Sequence, residues 1–191
     1  MRGSIVRWIA KRGKGYRKSD NGAATVEFAL VAFPFFAMLF LIVETGIMMF
    51  TEYSLQAGVT KAARLIRTGQ AQTATMNAAT FKSAVCAAAS IGANCADVTV
   101  YVNSASTFSA LQASLPSFLA VGPSTNGTPS TPTYSCGGPL SVTAVVATYD
   151  WTILMPFLNF MGNFNGNTKF RMAGFAMFEN EPYPASSGAC S

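Results

Sequence analysis

Between Ala23 and Phe50 the chain is almost continuously apolar: only Glu27 and Glu44 carry charge there, and the stretch from Phe28 to Val43 carries none. A membrane-spanning helix needs roughly 20 mostly apolar residues, a length this run reaches once its polar ends are included. After it, Leu55, Val59, Ala62 and Ile66 recur at spacings of four, three and four, with Lys61, Arg64 and Arg67 on another face. That is the period of an amphipathic helix. No proline or glycine interrupts the chain between the apolar run and Gly58. Residues 23–68 are therefore predicted as one helix, about 69 Å long at 1.5 Å per residue. Pro34 is expected to kink it or loosen its hydrogen bonding, which membrane helices tolerate.

Beyond Gly69 the pattern shortens. A polar connector, Gly69 to Thr75, leads to a short candidate helix, Asn77 to Ala89. Cys95 to Val102 alternates and is rich in β-branched residues, which reads as a strand. Phe108 to Leu119 suggests a short helix, and the Pro/Gly/Ser/Thr-rich stretch from Pro116 to Pro139 an exposed loop. Leu140 to Trp151 and Lys169 to Glu179 are the second and third strands, with Gly174 a candidate bulge. Thr152 to Asn167 reads as a helical or looped excursion between them. The fold class this predicts is α+β, a long N-terminal helix packed on a small antiparallel sheet of about three strands.

Composition sharpens the picture. Of 191 residues, 50% are hydrophobic and 11% charged, low charge for a soluble domain. The net charge of +5 is unevenly spread. Residues 1–22 hold seven Lys/Arg and one acid, a balance of +6, and the remaining 169 hold six basic and seven acidic side chains, a balance of −1. The basicity thus belongs to the leader, where it favours retention on the cytoplasmic side and not nucleic-acid binding. A cleaved secretory signal would have a shorter apolar core closed by a small-x-small site, and Val43-Glu44-Thr45-Gly46-Ile47 offers none. The expected organisation is a basic cytoplasmic leader (1–22), a transmembrane helix (23–50), its amphipathic extension (51–68) and a periplasmic α+β domain (69–191).

Four cysteines suit an oxidising compartment. Cys86 and Cys95 are close enough to staple the short helix to the next strand, leaving Cys136 and Cys190 to tie the second strand to the C-terminus. Three pairings are open at this stage. Metal binding is disfavoured by the absence of histidine and of any tight cysteine pair. The same absence removes Ser-His and Cys-His nucleophile pairs, and no Gly-rich phosphate loop occurs, so neither an enzyme nor a cofactor is expected. Asp150, Glu179 and Glu181 read as solvated or turn-bonded carboxylates at strand ends. Glu44 falls near the outer end of the span, at the interface.

Glu27 is the informative charge. A carboxylate entering hydrocarbon must keep its water or find a partner. As a residue at a helix start it is favourable to the helix dipole. Cleavage after Gly22 would create a second opportunity, a charged Ala23 amine one helical turn away.

These residues resemble a known family. Gly22-Ala23-Ala24-Thr25-Val26-Glu27-Phe28, the proline-containing apolar run, Val43-Glu44-Thr45-Gly46 and Val59-Thr60-Lys61-Ala62-Ala63-Arg64 together are similar to TadE-like proteins, pseudopilins of the tight-adherence (Tad/Flp) type IV pilus systems of bacteria. Tyr149-Asp150-Trp151 and Phe178-Glu179-Asn180-Glu181-Pro182-Tyr183 are similar to that family's C-terminal signature. Phe28 stands where major pilins have tyrosine, and Thr45 where an aromatic is common.

The resemblance implies a type IV pilin-like fold and a minor pilin-like subunit. A membrane-embedded prepilin peptidase would cut between Gly22 and Ala23; glycine there lets the backbone approach the catalytic aspartates. Glu27, with Phe28 beside it, would serve subunit assembly, its carboxylate pairing with the Ala23 amine of its own or a neighbouring subunit. The implied partners are the peptidase, other pilin-like subunits and Tad secretion machinery in a hetero-oligomer, and the lipid bilayer, without nucleic acid. The implied location is the bacterial inner membrane, single-pass with the C-terminal domain periplasmic, and then the extracellular pilus. Two alternatives remain open: an uncleaved periplasmic scaffold, and an anchored adhesive or ligand-binding module using the loop from Pro123 to Thr133.

Overall fold

The computed structural model describes residues 21–89, 95–114, 132–162, 168–184 and 190. Residues 1–20 of the leader and most of the Pro/Ser/Thr-rich loop lie outside the described residues. Helix α1 runs Asn21–Arg67 and is continuous through Pro34. The chain divides into two compact units, residues 1–43 and 44–191, with the boundary inside α1.

In the first unit α1 is long and apolar enough to cross a membrane, with a mean hydropathy of 2.5 in its most apolar window and none of that window buried in protein. Phe28, Leu30, Val31, Phe33, Phe35 and Met38 all stand more than 60% exposed. Soluble proteins rarely leave so large an apolar surface bare.

The second unit is α+β. After α1 come the short helix α2 (Gln70–Thr73) and α3 (Ala78–Ala89), then a 3-10 turn (Cys95–Asp97) leading into β1 (Val98–Ala105). Helix α4 (Phe108–Ser114), β2 (Val142–Thr152), a 3-10 segment (Pro156–Met161) and β3 (Lys169–Glu179) complete it. The sheet is antiparallel in the order β1-β2-β3. β2, central in that sheet, is buried from Val142 through Thr148, as a strand covered on both faces should be.

The buried stripe of α1 begins earlier than its apolar residues suggest. Glu44, Met48, Thr51, Leu55, Val59, Ala62 and Ile66 are each no more than 5% exposed, and they follow one another at the four/three spacing of a single helix face. Glu44 and Thr51 disguise the first half of that face. The Thr51 hydroxyl is satisfied by donating to the Ile47 carbonyl at 2.8 Å. Leu55, Val59 and Ile66 join Phe81 and Val85 of α3 and Val98, Val102, Val145 and Met172 of the sheet in one core.

Two glycines let the layers close. A Cβ on Gly58 of α1 would lie 2.6 Å from the Ala89 Cβ and 2.8 Å from the Val85 carbonyl oxygen of α3. One on Gly174 of β3 would lie 2.9 Å from a Val59 methyl and 3.1 Å from the Leu55 carbonyl oxygen. Gly174 is accordingly not a bulge: the β2–β3 register runs unbroken through Ala147↔Gly174. Its missing side chain makes room for α1.

Other sequence expectations shift in detail. Cys95–Asp97 is a 3-10 turn, so β1 starts three residues later than predicted and runs on to Ala105. Asn77 caps α3 instead of belonging to it, accepting from the Thr80 N–H at 2.8 Å and the Thr80 hydroxyl at 2.7 Å. The described end of the expected exposed loop is built into the fold. Val102 N–H donates to the Thr133 carbonyl and Ser135 N–H to the Val102 carbonyl, both at 2.8 Å, making Tyr134 a parallel bridge on the outer edge of β1. On the opposite edge the Gln56 side-chain amide grips the backbone of Phe175, accepting its N–H and donating to its carbonyl, both at 2.9 Å.

Candidate functional site

Two of the motifs singled out in the sequence lie at the two ends of α1. Gly22, Ala23, Glu27 and Phe28 occupy its first two turns, and all four are exposed, Phe28 to 72%. The bond between Gly22 and Ala23 lies in the first turn, where the backbone N–H groups have no partner further back in the helix and local unwinding is cheap. A Cβ on Gly22 would meet nothing within 4 Å. The fold therefore has no need of glycine there. Ala23 and Glu27 are one turn apart, and helical side chains lean toward the N-terminus, so the Glu27 carboxylate can reach back to an amine at residue 23.

At the other end Arg67 closes α1, and Gly69 turns the chain with φ 75°, a left-handed conformation suited to glycine. The Tyr183 ring packs against Gly69 so closely that a Cβ would lie 2.7 Å from it. Glu181 N–H donates to the Arg67 carbonyl at 2.9 Å, and the two side chains form an exposed ion pair at 3.6 Å. Asn180, 2% exposed, is the centre of this knot. Its amide nitrogen has the Gly138 carbonyl at 2.9 Å, the Cys136 carbonyl at 3.0 Å, the Ser141 hydroxyl at 3.1 Å and the Tyr183 hydroxyl at 3.4 Å. Gln72 also donates to the Cys136 carbonyl, at 3.2 Å. The Asn-Glu-Pro-Tyr stretch therefore fastens the end of α1 to the entry of β2, a role no local sequence signal shows, because its partners lie about 40 residues away.

The cysteines settle into two disulfides. Cys86–Cys95 ties α3 to the turn before β1, and Cys136–Cys190 ties the entry of β2 to the C-terminal segment. Asp150 is not a solvated strand-end carboxylate. Arg171, its partner in the β2–β3 register, donates to it through two nitrogens at 2.6 and 2.8 Å. That hydrogen bond raises the Arg171 pKa further, against the opposing effect of burial, so the guanidinium stays charged. Burial also pushes up the hydroxyls of Tyr101, Tyr134, Tyr149 and Tyr183.

Glu44, read from sequence as interfacial, is 5% exposed. Its Oε1 accepts from the Leu154 N–H at 2.7 Å, while its Oε2 is buried with no hydrogen-bond partner. An open recess of about 390 Å³ near this point is lined by Asp97, Tyr149, Asp150, Trp151, Thr152, Leu154 and Lys169.

No curated protein and no solved structure matches the chain. A protein-family model does: residues 22–64, from the glycine of the N-terminal motif to Arg64 on α1, match the TadE-like protein family, and over that segment the chain is similar to TadE-like proteins.

Proposed function

We propose that this chain is a minor pilin-like subunit of a Tad-type pilus, anchored in the inner membrane by α1 and released for assembly when a prepilin peptidase cuts between Gly22 and Ala23. The observation that carries the reading is the TadE-like match beginning at Gly22, on a helix whose first turns are exposed and whose apolar window is not covered by any of the described residues. Removal of the leader takes away seven positive charges that hold the N-terminus in the cytoplasm. Glu27 then pairs with the new amine, offsetting part of the carboxylate's desolvation. The subunit acts by assembly, with other pilin-like subunits and the Tad machinery as partners, and performs no catalysis.

The test is the mature N-terminus, mapped by mass spectrometry with and without the cognate peptidase. The expected product begins at Ala23 and disappears in a Gly22→Ala variant. Because a methyl at residue 22 meets nothing, that variant folds normally and reports on the peptidase alone. A chain that keeps Met1 beside an active peptidase would instead be a permanent periplasmic scaffold.

A further inference from the structure

The second unit has a distinct end where α1 enters it. The antiparallel register brings the start of β1, the end of β2 and the start of β3 together there, with Val98 opposite Tyr149 and Thr152 opposite Lys169. Glu44 joins this end through its bond to Leu154. Leu154 is 72% exposed although fully apolar, and it sits beside Trp151 and Lys169 on the rim of the recess.

The position of Glu44 in the chain says what faces this surface. Ala23 to Val43 makes about 31 Å of helix, the thickness of a bilayer's hydrocarbon core, ~30 Å. Glu44 is the next residue, so in a spanning helix it stands where the chain leaves hydrocarbon. A leucine fastened to Glu44 by a 2.7 Å hydrogen bond is held at that same level. A lysine such as Lys169 reaches the headgroup layer with an apolar stem and a charged tip; Trp151 lines the same recess half-buried against the core, with its Nε1 enclosed in the protein. Asp97 on the same rim matches the ammonium of a zwitterionic headgroup as Lys169 matches its phosphate.

We propose that this end of the unit rests on the phospholipid surface, with Leu154 inserted at the boundary between headgroups and acyl chains, Lys169 at headgroup level with Trp151 beside it, and Glu44 as the fastening that holds the Leu154 loop in place. The inference rests on α1 spanning the bilayer.

The test uses the full chain with Trp8→Phe, which leaves Trp151 as its one tryptophan, reconstituted in vesicles of phosphatidylethanolamine and phosphatidylglycerol. Nitroxide labels are placed on the headgroup, just below it, or at the chain midpoint. Trp151 emission is expected to be lost most strongly to the first two labels and least to the third. Leu154→Asp, a change at an exposed position, is expected to remove most of that quenching with both disulfides formed, and Glu44→Ala to weaken it. Emission indifferent to every label, in a chain that still resists carbonate extraction, would overturn the inference and leave the spanning helix standing. Extraction by carbonate would remove both. Shielding of Trp151 that grows with the protein-to-lipid ratio would assign the surface to a second copy, which also overturns the proposal.

Discussion

Asn180 has two amide hydrogens and four oxygen atoms within reach of them, so it bridges the chain after β3 to the entry of β2. Asn180→Ala leaves the Gly138 and Cys136 carbonyls to weaker partners and is expected to cost about 1–3 kcal/mol, two lost hydrogen bonds at ~0.5–1.5 kcal/mol each, read from the urea midpoint in detergent. Asn180→Asp keeps the shape but turns acceptor oxygens on carbonyl oxygens. It should be at least as damaging as alanine, an outcome that separates hydrogen bonding from packing. Glu44 shows a different economy: one oxygen is engaged and the other is buried without a partner, so its position depends on the single bond to Leu154.

At the scale of elements, α1 succeeds as a packing surface because it lacks side chains where its neighbours come closest. An alanine at Gly58 gains about 1 kcal/mol of helix propensity but must push back the α3 backbone, a strain of ~1–3 kcal/mol. Strain wins, and Gly58→Ala is expected to be net destabilising in chemical denaturation. Gly174→Ala should cost less, since its Cβ would stand 2.9 Å from a Val59 methyl and 3.1 Å from the Leu55 carbonyl oxygen, against 2.6 and 2.8 Å for the contacts at Gly58. Much of this architecture is legible in the sequence. The period of Leu55, Val59, Ala62 and Ile66 announces the helix, and the short apolar, Val-rich or aromatic runs Val142 to Tyr149 and Lys169 to Glu179 announce β2 and β3. The early part of the buried stripe is not legible, because Glu44 and Thr51 look like surface residues until their hydrogen-bond partners are known. Gly174 misleads for a related reason: a strand glycine signals a bulge or a close approach equally well, and only the helix above it decides. The N-terminal motif is local and can be read directly, whereas the work of Asn180 depends on contacts across the fold.

For the molecule as a whole, two cross-links differ in the length of chain they close. Cys136–Cys190 spans 54 residues and Cys86–Cys95 spans 9. Loop-closure entropy then gives about 4 and about 3 kcal/mol, so paired Cys→Ser replacement should lower stability more at 136/190, measured by thermal melting in detergent. Alkaline pH is a second lever. Burial holds Tyr101, Tyr134, Tyr149 and Tyr183 above the ordinary tyrosine value of 10.0, so the folded state favours their neutral form. That stabilisation is complete below 10.0 and is lost as pH rises through the folded-state values. Tyrosinate absorbance should therefore lag that of the denatured chain and then rise together with loss of tertiary circular dichroism. The Gln56 grip on Phe175 carries a consequence for growth into a polymer. With Tyr134 occupying the opposite border at Val102, each outer border of the sheet has its middle rungs already spoken for, and a neighbour's strand finds no continuous row on which to zip. In the proposed pilin-like reading, those occupied rungs disfavour sheet-to-sheet joining of neighbouring copies and leave α1 as the element through which they would pack.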